Sequence, residues 1–517
     1  MQQLHTNNIY KSVRLKIDGS YLTTSGDVLN SSYLKHIEDL SRQWKYFIAG
    51  IGYEAEDNAI ESPVQDSLST SSFAFRIAKI YIQSHDTMKV KAGIQYSRRW
   101  DDLPLAGKMT AATVADNITS TAGYQFNSGN RLTIGVTYRK LAVEDTIVTQ
   151  QRKDEALLSR IEHQLSVAHG FIIANTYYEL GSGREQKREY SYIAVTSGTG
   201  NYTWNDYNND GIPQLNEFET AQFQDEADYI RIFTPSTEFV NAYTNQLNLV
   251  INVQPAVFQK KNFLSLFSLL TALRFDNKLT GAKPVEAMNP FLNVDNEESL
   301  ITTNASVRNT LYFNRTGQVF GADITYSDQQ TKQLLTNGIE TRTDRLWQSN
   351  IRVNFSNEFS NIINLEQQNR TNTSEAFSTR NYNLAIIKGE EKISYQPGSS
   401  YRISTLYNVK QKKNTISELG EKSLAQQGGL EARYSTARRG LATAAFNVVY
   451  ITYNQPENTP LAYEMMEGLK TGVNYTWNLS IQRNISSAFQ LNINYDGRKS
   501  KGVNVIHTGS MQVRAFF

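Results

Sequence analysis

The 517-residue chain contains no cysteine, and this absence excludes disulfide scaffolds, cysteine-ligated zinc and thiol catalysis. Proline is scarce, with 10 residues, whereas tyrosine is abundant, with 29, so the composition is not that of a disordered protein. Neither sign of charge is in excess: 52 Lys and Arg face 50 Asp and Glu, for a formal charge of +2. That balance argues against nucleic acid as a partner, because a dedicated nucleic-acid binder carries a strongly basic surface.

Long hydrophobic runs are also missing. The longest candidate, 263–273, is interrupted by two serines, whereas a membrane-spanning helix needs about 20 mostly apolar residues. The first eight residues contain no basic region followed by an apolar core, so no signal peptide is predicted there. The chain is therefore expected to be either cytoplasmic or a mature or truncated piece of an exported protein, and the remaining features favour the second.

What the sequence does contain is alternation with a period of two residues. Leu132, Ile134, Val136 and Tyr138 alternate with Arg, Thr, Gly and Thr, and the same pattern recurs in many segments across the chain. One face of each predicted strand is thus apolar, and the other is polar. Two architectures have such strands: a soluble sandwich and a membrane β-barrel with a wet lumen.

Three observations favour the barrel. The alternating runs extend over roughly 10–15 residues, longer than the 5–6 typical of soluble strands. Aromatic residues recur near the predicted strand ends, for example Tyr96 with Trp100 and Tyr124 with Phe126, where an interfacial girdle would lie. Short turns alternate with longer polar connections such as 280–298, 414–425 and 454–468. We therefore predict an all-β fold, a large antiparallel transmembrane β-barrel.

The strand count predicts how the barrel is divided. Nine strands are predicted in an N-terminal part, 1–198, and 13 in a C-terminal part, 243–517. If all short turns lie on one side of the membrane, 199–242 must contain one further crossing, for instance Tyr229–Phe233, or a segment that threads the lumen. The prediction is about 22–24 strands, which form either a whole barrel or an incomplete one, with 199–242 as a long loop or plug-like insertion.

The end of the chain indicates how the barrel would reach its membrane. Met511, Val513, Ala515 and Phe517 alternate with polar residues, and the last residue is aromatic. Such an end resembles the signal that the insertion machinery of bacterial outer membranes recognises; the alternative is an ordinary last strand. We expect localisation in the outer membrane, with lipid, the insertion machinery (through Phe517) and other outer-membrane proteins as partners.

One motif is specific enough to predict a ligand. Residues 206–217 fit the calcium-loop pattern D-x-[DN]-x-[DN]-G-x5-E at each fixed position. Oxygen ligands recur at alternate positions as the loop curls, and the closing glutamate binds with both oxygens. We predict one weak, structural Ca²⁺; the alternative is a solvated Asn/Asp turn. The expected ligands are Asp206, Asn208, Asp210, the carbonyl of Ile212, Gln214 and Glu217.

Enzyme motifs are absent from the sequence: it has no HExxH, GxSxG or P-loop pattern. His163 and His169 would lie on the same face of one predicted strand. Together with a serine or aspartate inside a barrel they could form a membrane-embedded hydrolase. This is the least favoured of the functions considered, and we predict that the protein is not an enzyme.

Several segments carry a resemblance to a known group. These are 177–183 (YYELGSG), 198–211 (GTGNYTWNDYNNDG), 215–219 (LNEFE), 227–235 (ADYIRIFTP) and the closing RAFF. They resemble a group of large, mostly uncharacterised outer-membrane β-barrel proteins of Bacteroidota, distantly similar to the translocon barrel of the type IX secretion system. Members of that group are usually longer, so the resemblance implies that this chain is a C-terminal half.

Two functions of different classes follow. The first is an outer-membrane barrel acting as a conduit or as an assembly or export scaffold, since a barrel this wide leaves a lumen that must be plugged or occupied. The second is a surface-exposed structural or adhesive β protein that uses calcium to stiffen a loop.

Overall fold

The computed structural model describes residues 2–515 with short internal gaps. The residues outside the description are 1, 27–28, 63–66, 86, 128, 150–152, 259–261, 281–286, 292–299, 336–337, 376, 437–439, 487–488 and 516–517. Within the described ranges 26 strands form one sheet. Phe517, the predicted recognition residue, lies outside the described residues.

The strands are long, and their bounds in chain order are as follows. The N-terminal strands are β1 (Gln2–Tyr10), β2 (Val13–Thr24), β3 (Asn30–Gln43), β4 (Phe47–Ser62), β5 (Ser67–Leu68), β6 (Phe73–Ser84), β7 (Val90–Leu105), β8 (Lys108–Asn127), β9 (Asn130–Val143), β10 (Asp154–Val167), β11 (Ile172–Ala194), β12 (Tyr202–Trp204) and β13 (Phe218–Thr220). They are followed by β14 (Tyr229–Val253), β15 (Phe267–Thr280), β16 (Leu300–Phe313), β17 (Phe320–Leu335), β18 (Gly338–Asn354), β19 (Phe359–Ser374), β20 (Tyr382–Tyr395), β21 (Tyr401–Asn414), β22 (Lys422–Thr436), β23 (Gly440–Tyr453), β24 (Gly472–Asn484), β25 (Phe489–Lys499) and β26 (Ile506–Ala515).

Helical structure is confined to connections. One α-helix, α1 (Pro460–Met466), is described, together with short 3-10 turns at Ala168–Gly170, Leu215–Glu217, Gln224–Glu226, Pro255–Val257, Phe263–Leu266 and Ser378–Arg380. Across the residues that the structure describes, none of the helices is long and apolar enough to cross a bilayer.

Apart from the short strands β5, β12 and β13, each strand pairs antiparallel with its neighbours in sequence, as in an up-and-down meander. The succession continues through β11, which pairs with β14, to β26. The ladders between described residues do not include one that joins β26 to β1. Antiparallel neighbours need only short connections, which explains how 23 long strands fit into this chain.

The register of the ladders divides the side chains between two faces, because residues paired across antiparallel strands point to the same side. Ile82 pairs with Ile94, Leu311 with Ile324 and Phe446 with Trp477. We call this apolar side the outer face. The opposite side, the inner face, carries polar and charged residues, such as Glu366 paired with Lys388. The predicted outward residues all share the outer face: Ile134, Val136, Leu249, Ile251, Tyr475 and Trp477.

The two ends of the sheet differ in their connections. At one end, the short-turn end, strands are joined by turns such as 314–319, 355–358 and 396–400. At the other, the long-loop end, the connections include 195–228, 281–299 and 454–471, although β7 and β8 meet there in a two-residue turn. The predicted alternation of short and long connections holds for most strands, but β14 and β15 are joined at the short-turn end by the longer connection 254–266. Such asymmetry, with an apolar outer face and a polar inner face, is that of a transmembrane β-barrel.

Aromatic residues of the outer face line the short-turn end. Ring centroids lie 4.7 Å apart for Trp44 and Phe47, and 4.6 Å apart for Phe359 and Tyr395. Further contacts at this end join Phe267 to Phe313 and Tyr401 to Tyr434. Tyr326 and Trp347, 4.8 Å apart, lie about six residues further along their strands. A row of aromatic rings at one end of an apolar face is the arrangement found at an interface of a bilayer.

The predicted strand count of about 22–24 agrees with the 23 long strands, but two predicted details were wrong. β1 and β3 were not predicted, and the two strands predicted at 171–181 and 188–198 are the single strand β11. The extra crossing predicted within 199–242 is not needed, because Tyr229–Phe233 are the first residues of β14. The long connection is therefore 195–228, and both of its ends lie at the long-loop end.

The sheet is strongly curved. Arg498 on β25 hydrogen-bonds to Asp225, which lies in the connection that follows β11. Eleven strands, β14 to β24, lie between β11 and β25 in the succession of ladders. A flat sheet would hold these residues far apart, since each neighbouring strand adds about 4.8 Å. The contact therefore requires the inner face to be concave, and we call the space inside it the lumen.

The outer face predicts which substitutions the wall tolerates. Ile251→Arg should lower the free energy of unfolding in phospholipid vesicles by about 2–4 kcal/mol, because it places a charge on the lipid-facing side. Asn252→Arg, on the inner face of the same strand, is the matched control and should change it by less than about 1 kcal/mol. Equal losses in the two variants, measured by urea titration, would contradict the assignment of faces.

Candidate functional site

The connection 195–228, which we call the insertion, lies at the long-loop end of the lumen, where it contacts Arg380 and Arg498. Its short strands β12 and β13 pair with each other, and Tyr202 also pairs with Tyr229 at the start of β14. The stretch 215–227 contains β13 and two short 3-10 turns. Tyr192 stacks on Phe218 at 4.1 Å, which fixes the insertion to the extended end of β11.

Ion pairs join the insertion to the wall on two sides. Glu219 of β13 accepts a hydrogen bond at 3.3 Å from Arg380, in the connection between β19 and β20. On β25, Arg498 donates to Asp225 at 2.6 Å and to Glu226 at 3.1 Å. Arg498 is mostly buried and also lies over the ring of Phe223, 4.0 Å from its centroid. The insertion thus contributes the acids, and the wall and its connections contribute the arginines.

A second connection, 454–471, folds inward beside the insertion. Thr459 accepts a hydrogen bond from the amide of Ala462, and Pro460 occupies the first helical position, so α1 begins there. Met465 packs on Leu384 and Ile386 of the inner face. Met466 packs against Val449 and Ile451, with Phe223 beside them. This is an apolar patch on an otherwise polar inner face, and α1 covers it.

Acidic residues at the end of α1 meet basic residues of the inner face. Glu464 pairs with Arg370 at 2.7 Å. Glu467 pairs with Lys410 at 2.8 Å and with Lys412 at 2.9 Å. Burial alone would raise the pKa of Glu467, but the two lysines outweigh it and lower the pKa to about 2. The carboxylate is therefore ionised at every physiological pH, so the ion pairs of Glu467 do not depend on pH in that range.

The two connections also contact each other. The hydroxyl of Tyr463 donates to Glu226 at 2.7 Å and accepts from the amide of Gln222 at 3.0 Å. Gly468 has a φ of +71°, and an added Cβ there would come within 3.0 Å of Phe223. Glycine is thus required both for the turn and for the close approach. The insertion and the connection 454–471, which contains α1, pack together against the inner face, and we call these two connections the plug.

Glu219 is the group in the plug whose charge can change near neutral pH. Burial raises the pKa of its carboxyl to about 7, and neighbouring Glu464 adds to this, although Arg380 acts in the opposite direction. One carboxyl oxygen of Glu219 accepts a hydrogen bond from the guanidinium of Arg380. The other, Oε1, is buried without a hydrogen-bond partner. The cost of burying the charge therefore exceeds the gain from this single contact.

The predicted calcium loop lies in the insertion between β12 and β13, as a compact turn. Asp206 accepts hydrogen bonds from the amides of Asp210 (3.2 Å) and Gly211 (2.9 Å), and Gly211 has the positive φ, +72°, that the bend needs. Asn208 accepts from the amide of Asp210, and Asp210 accepts from the amide of Ile212 and the side chain of Gln214. The side chains of Asp206, Asn208, Asp210 and Gln214 are thus brought together in one loop with the backbone amide of Ile212.

Glu217, the sixth position, is placed differently. Its side chain is 1% exposed and accepts hydrogen bonds from the indole of Trp204 at 2.9 Å and the amide of Gln214 at 3.1 Å. In the part of the chain that the structure describes, no three His, Asp or Glu side chains are grouped to hold a metal. The oxygen donors at 206–214 fit the chemistry of Ca²⁺, but Glu217 would have to leave Trp204 to complete the site.

His163 and His169, which the least favoured hypothesis would place in a hydrolase inside the barrel, do not meet there. His163 pairs with Leu132 and Thr176 and lies on the outer face of β10. His169 lies in the turn between β10 and β11, at the short-turn end, with a φ of +59°. A hydrolase inside the lumen that uses both residues is therefore wrong.

Sequence analysis missed the residues that hold the plug. Arg380, Arg498 and Glu219 belong to no motif, and their partners are more than 150 positions away along the chain. The available signal was an arginine at an inner-face position of a predicted strand, as for Arg498 between Gly497 and Lys499. Alternation gives the face, but it does not give the partner.

Comparisons with known proteins give distant similarities only. No protein-family model matches the chain, and none of the curated proteins does. The siderophore receptor PiuA of Acinetobacter baumannii is similar over 93% of this chain and 81% of its own, at 11% identity and a TM-score of 0.34. The FrpB iron transporter of Neisseria meningitidis is similar over 97% and 80%, at 9% identity and a TM-score of 0.36.

A third solved structure has a different description. A bacterial polysaccharide outer-membrane secretin is similar over 86% of this chain and 96% of its own, at 8% identity and a TM-score of 0.22. All three TM-scores are below 0.5. The fold described above therefore rests on the ladders and faces of this sheet.

The pKa of Glu219 predicts that the insertion loosens as pH rises. A carboxyl whose folded pKa is raised stabilises the folded form fully below the ordinary value of 4.5, and this contribution is lost as pH rises to about 7. The loss amounts to about 3 kcal/mol at most. Amide hydrogen exchange at 218–220, corrected for its intrinsic pH dependence, should show weaker protection at pH 8 than at pH 5.

Glu219→Gln should remove most of that pH dependence, because the amide does not ionise. Glu418→Gln changes an exposed carboxyl in the connection between β21 and β22 and should behave like the unaltered protein. If Glu219→Gln keeps the full pH dependence, another group is responsible for it.

Proposed function

We propose that this protein is an outer-membrane β-barrel that acts as a conduit or as an export or assembly scaffold, with the plug as its removable closure. The observation that carries the proposal is the plug itself, a unit of two connections folded against a polar, charge-lined inner face. Location in the outer membrane is supported by the apolar outer face and its row of aromatic residues at the short-turn end. The absence of enzyme motifs supports a role in passage or assembly over catalysis.

The net free energy that holds the plug in place is expected to be small. Its ion pairs are buried, and such pairs give back little net stability because both partners lose their hydration. The apolar contact through Phe223 and Met466 is small compared with the core of a domain. A substrate or partner that competes for Arg498 or Arg380 would therefore need to supply only a modest free energy to displace the insertion.

Conductance in a planar bilayer tests this function. Removing one partner of a buried ion pair costs about 3–5 kcal/mol, so Arg498→Ala with Arg380→Ala should raise the open probability at least tenfold over the unaltered protein. The matched control is Arg345→Ala, which removes a pair with Asp328 on the outer face. That variant should conduct like the unaltered protein. A double variant that inserts fully and still seals the bilayer would contradict the conduit.

The proposed cofactor is one weakly bound Ca²⁺ at the loop 206–217, which would brace the insertion between β12 and β13. Its support is the spacing of the motif and the clustering of oxygens around Asp206, Asn208 and Asp210. We expect a dissociation constant of about 10⁻⁴–10⁻³ M, the range of extracellular calcium modules, and poor replacement by Mg²⁺. When Glu217 turns to bind Ca²⁺, it should lose the hydrogen bond that it accepts from the indole of Trp204.

Calorimetry and tryptophan fluorescence test the calcium site. Titration of the full chain should give heat and a change in Trp204 emission, and Glu217→Gln should weaken binding at least tenfold. Trp204→Phe should remove the change in emission while preserving the heat. No heat up to about 10 mM Ca²⁺, well above that affinity range, would leave an ordinary Asn/Asp turn.

Two finer assignments belong to the same proposal. Recognition by the barrel-insertion machinery would use Phe517, and other outer-membrane proteins are the expected further partners. Relationship to the Bacteroidota barrels and to the type IX translocon stays a prediction from the segments quoted above, because no family model and no curated protein match.

A further inference from the structure

The long connection 281–299 behaves differently from the insertion, because its described part, 287–291, lies against the outer face. Asn245 and Asn277 pair with each other in the register, as do Leu247 and Phe275, which places all four on the outer face. The ring of Phe291 lies 5.1 Å from that of Phe275. The segment therefore folds over the rim of the sheet and lies on the outside of its wall.

Hydrogen bonds hold the backbone of this segment in place. Asn245 donates to the carbonyls of Ala287 (2.8 Å) and Asn289 (3.1 Å), and Asn277 donates to the carbonyl of Pro290 (2.8 Å). The hydroxyl of Tyr178 donates to the carbonyl of Met288 at 2.7 Å. Both asparagines are nearly fully buried under the segment. Polar side chains on the outer face thus satisfy the carbonyls of a short irregular segment that would otherwise meet lipid unpaired.

Two large apolar side chains of the segment stay exposed, although the ring of Phe291 also contacts Phe275 of the wall. Met288 is 52% exposed and Phe291 is 58% exposed, although Ala287 between them and the wall is fully buried. The backbone is thus fixed from below while two large apolar side chains are presented outward.

The height of the segment on the wall agrees with a membrane boundary. From Phe267, in the aromatic row at the short-turn end, Phe275 is eight residues along β15, which is about 27 Å along the strand. With a strand tilt of about 40°, that is about 20 Å along the barrel axis, close to the upper edge of an apolar band about 25 Å tall. Asn277 lies two residues higher, at the level of the headgroups.

We propose that 287–291 is an interfacial membrane anchor, in which Met288 and Phe291 insert into the lipid at the boundary between acyl chains and headgroups on the long-loop side. The partner is the bilayer itself, because the segment lies at that depth on a face that is otherwise lipid-facing. The inference rests on the proposed membrane location, and it adds a specific lipid contact made by a loop outside the strands.

Single cysteines provide a clean test, because the chain has no cysteine of its own. Met288→Cys would carry an environment-sensitive fluorophore in phosphatidylcholine vesicles that contain nitroxide lipids, labelled either near the headgroup or deep in the chain. Ile324→Cys, on the outer face of β17, is the membrane control. Leu419→Cys is the aqueous control, since Leu419 is 69% exposed in the connection between β21 and β22.

The label at position 288 should be quenched at least twofold more by the shallow nitroxide than by the deep one, and hardly by aqueous iodide. The label at 324 should be quenched by nitroxide lipids, and the label at 419 by iodide alone. If the label at 288 behaves like that at 419, or resists both kinds of quencher because protein covers it, the anchor is wrong. If the label at 324 also escapes the nitroxides, the membrane location fails as well.

A second variant tests how the segment is held. Asn245→Leu with Asn277→Leu removes three of the four hydrogen bonds to 287–291 and keeps the outer face apolar. Quenching of the label at 288 by the shallow nitroxide should fall at least twofold, whereas quenching at 324 should not change. Unchanged quenching at 288 would show that the asparagines do not position the anchor.

Discussion

The constraint on which the rest of the structure depends is that each long strand forms its backbone hydrogen bonds with its neighbours. A lipid-facing wall offers no water to unpaired amides and carbonyls, so side chains alone can differ between the two faces. That requirement keeps the strands paired along most of their length, with bulges such as the one between Asp101 and Asp102, and it confines most irregular structure to the connections. The connections serve two purposes in this chain: those of the plug lie inside the wall, and the anchor lies outside it.

The two uses differ in the chemistry that fixes the irregular backbone. Inside the lumen, ion pairs hold the irregular backbone in place, because arginines and lysines of the inner face meet acids of the insertion and of the connection that contains α1. On the outer face, neutral side-chain amides hold the irregular backbone in place, because Asn245 and Asn277 can donate to its carbonyls without bringing a charge next to lipid. A charge placed on the lipid side is far more costly than one placed in a wet lumen.

Sequence alternation predicted the wall well where the outer face is uniformly apolar. All 13 strands from β14 to β26 have predicted counterparts, because residues such as Val473, Tyr475 and Trp477 leave little ambiguity. β3 was missed because its outward residues include His36 and Glu38, which break the pattern. β11 was predicted as two strands because the polar stretch 182–189 resembles a turn, although it pairs with β14 beyond the lipid-facing part. The plug could not be predicted, because its contacts depend on the curvature of the whole sheet.

The balance of forces in the plug explains why it can be specific without being permanent. Buried ion pairs such as Arg498 with Asp225 favour one docked position, since any other would leave a charge buried without its partner. They add little to the net free energy of docking, which comes mainly from a few apolar contacts around Phe223. Glu219 makes even this position depend on protonation, because its carboxyl is buried with a single ionic contact. An element fixed in position by charge and only weakly held by apolar burial suits a closure that must be displaced and must then return to the same place.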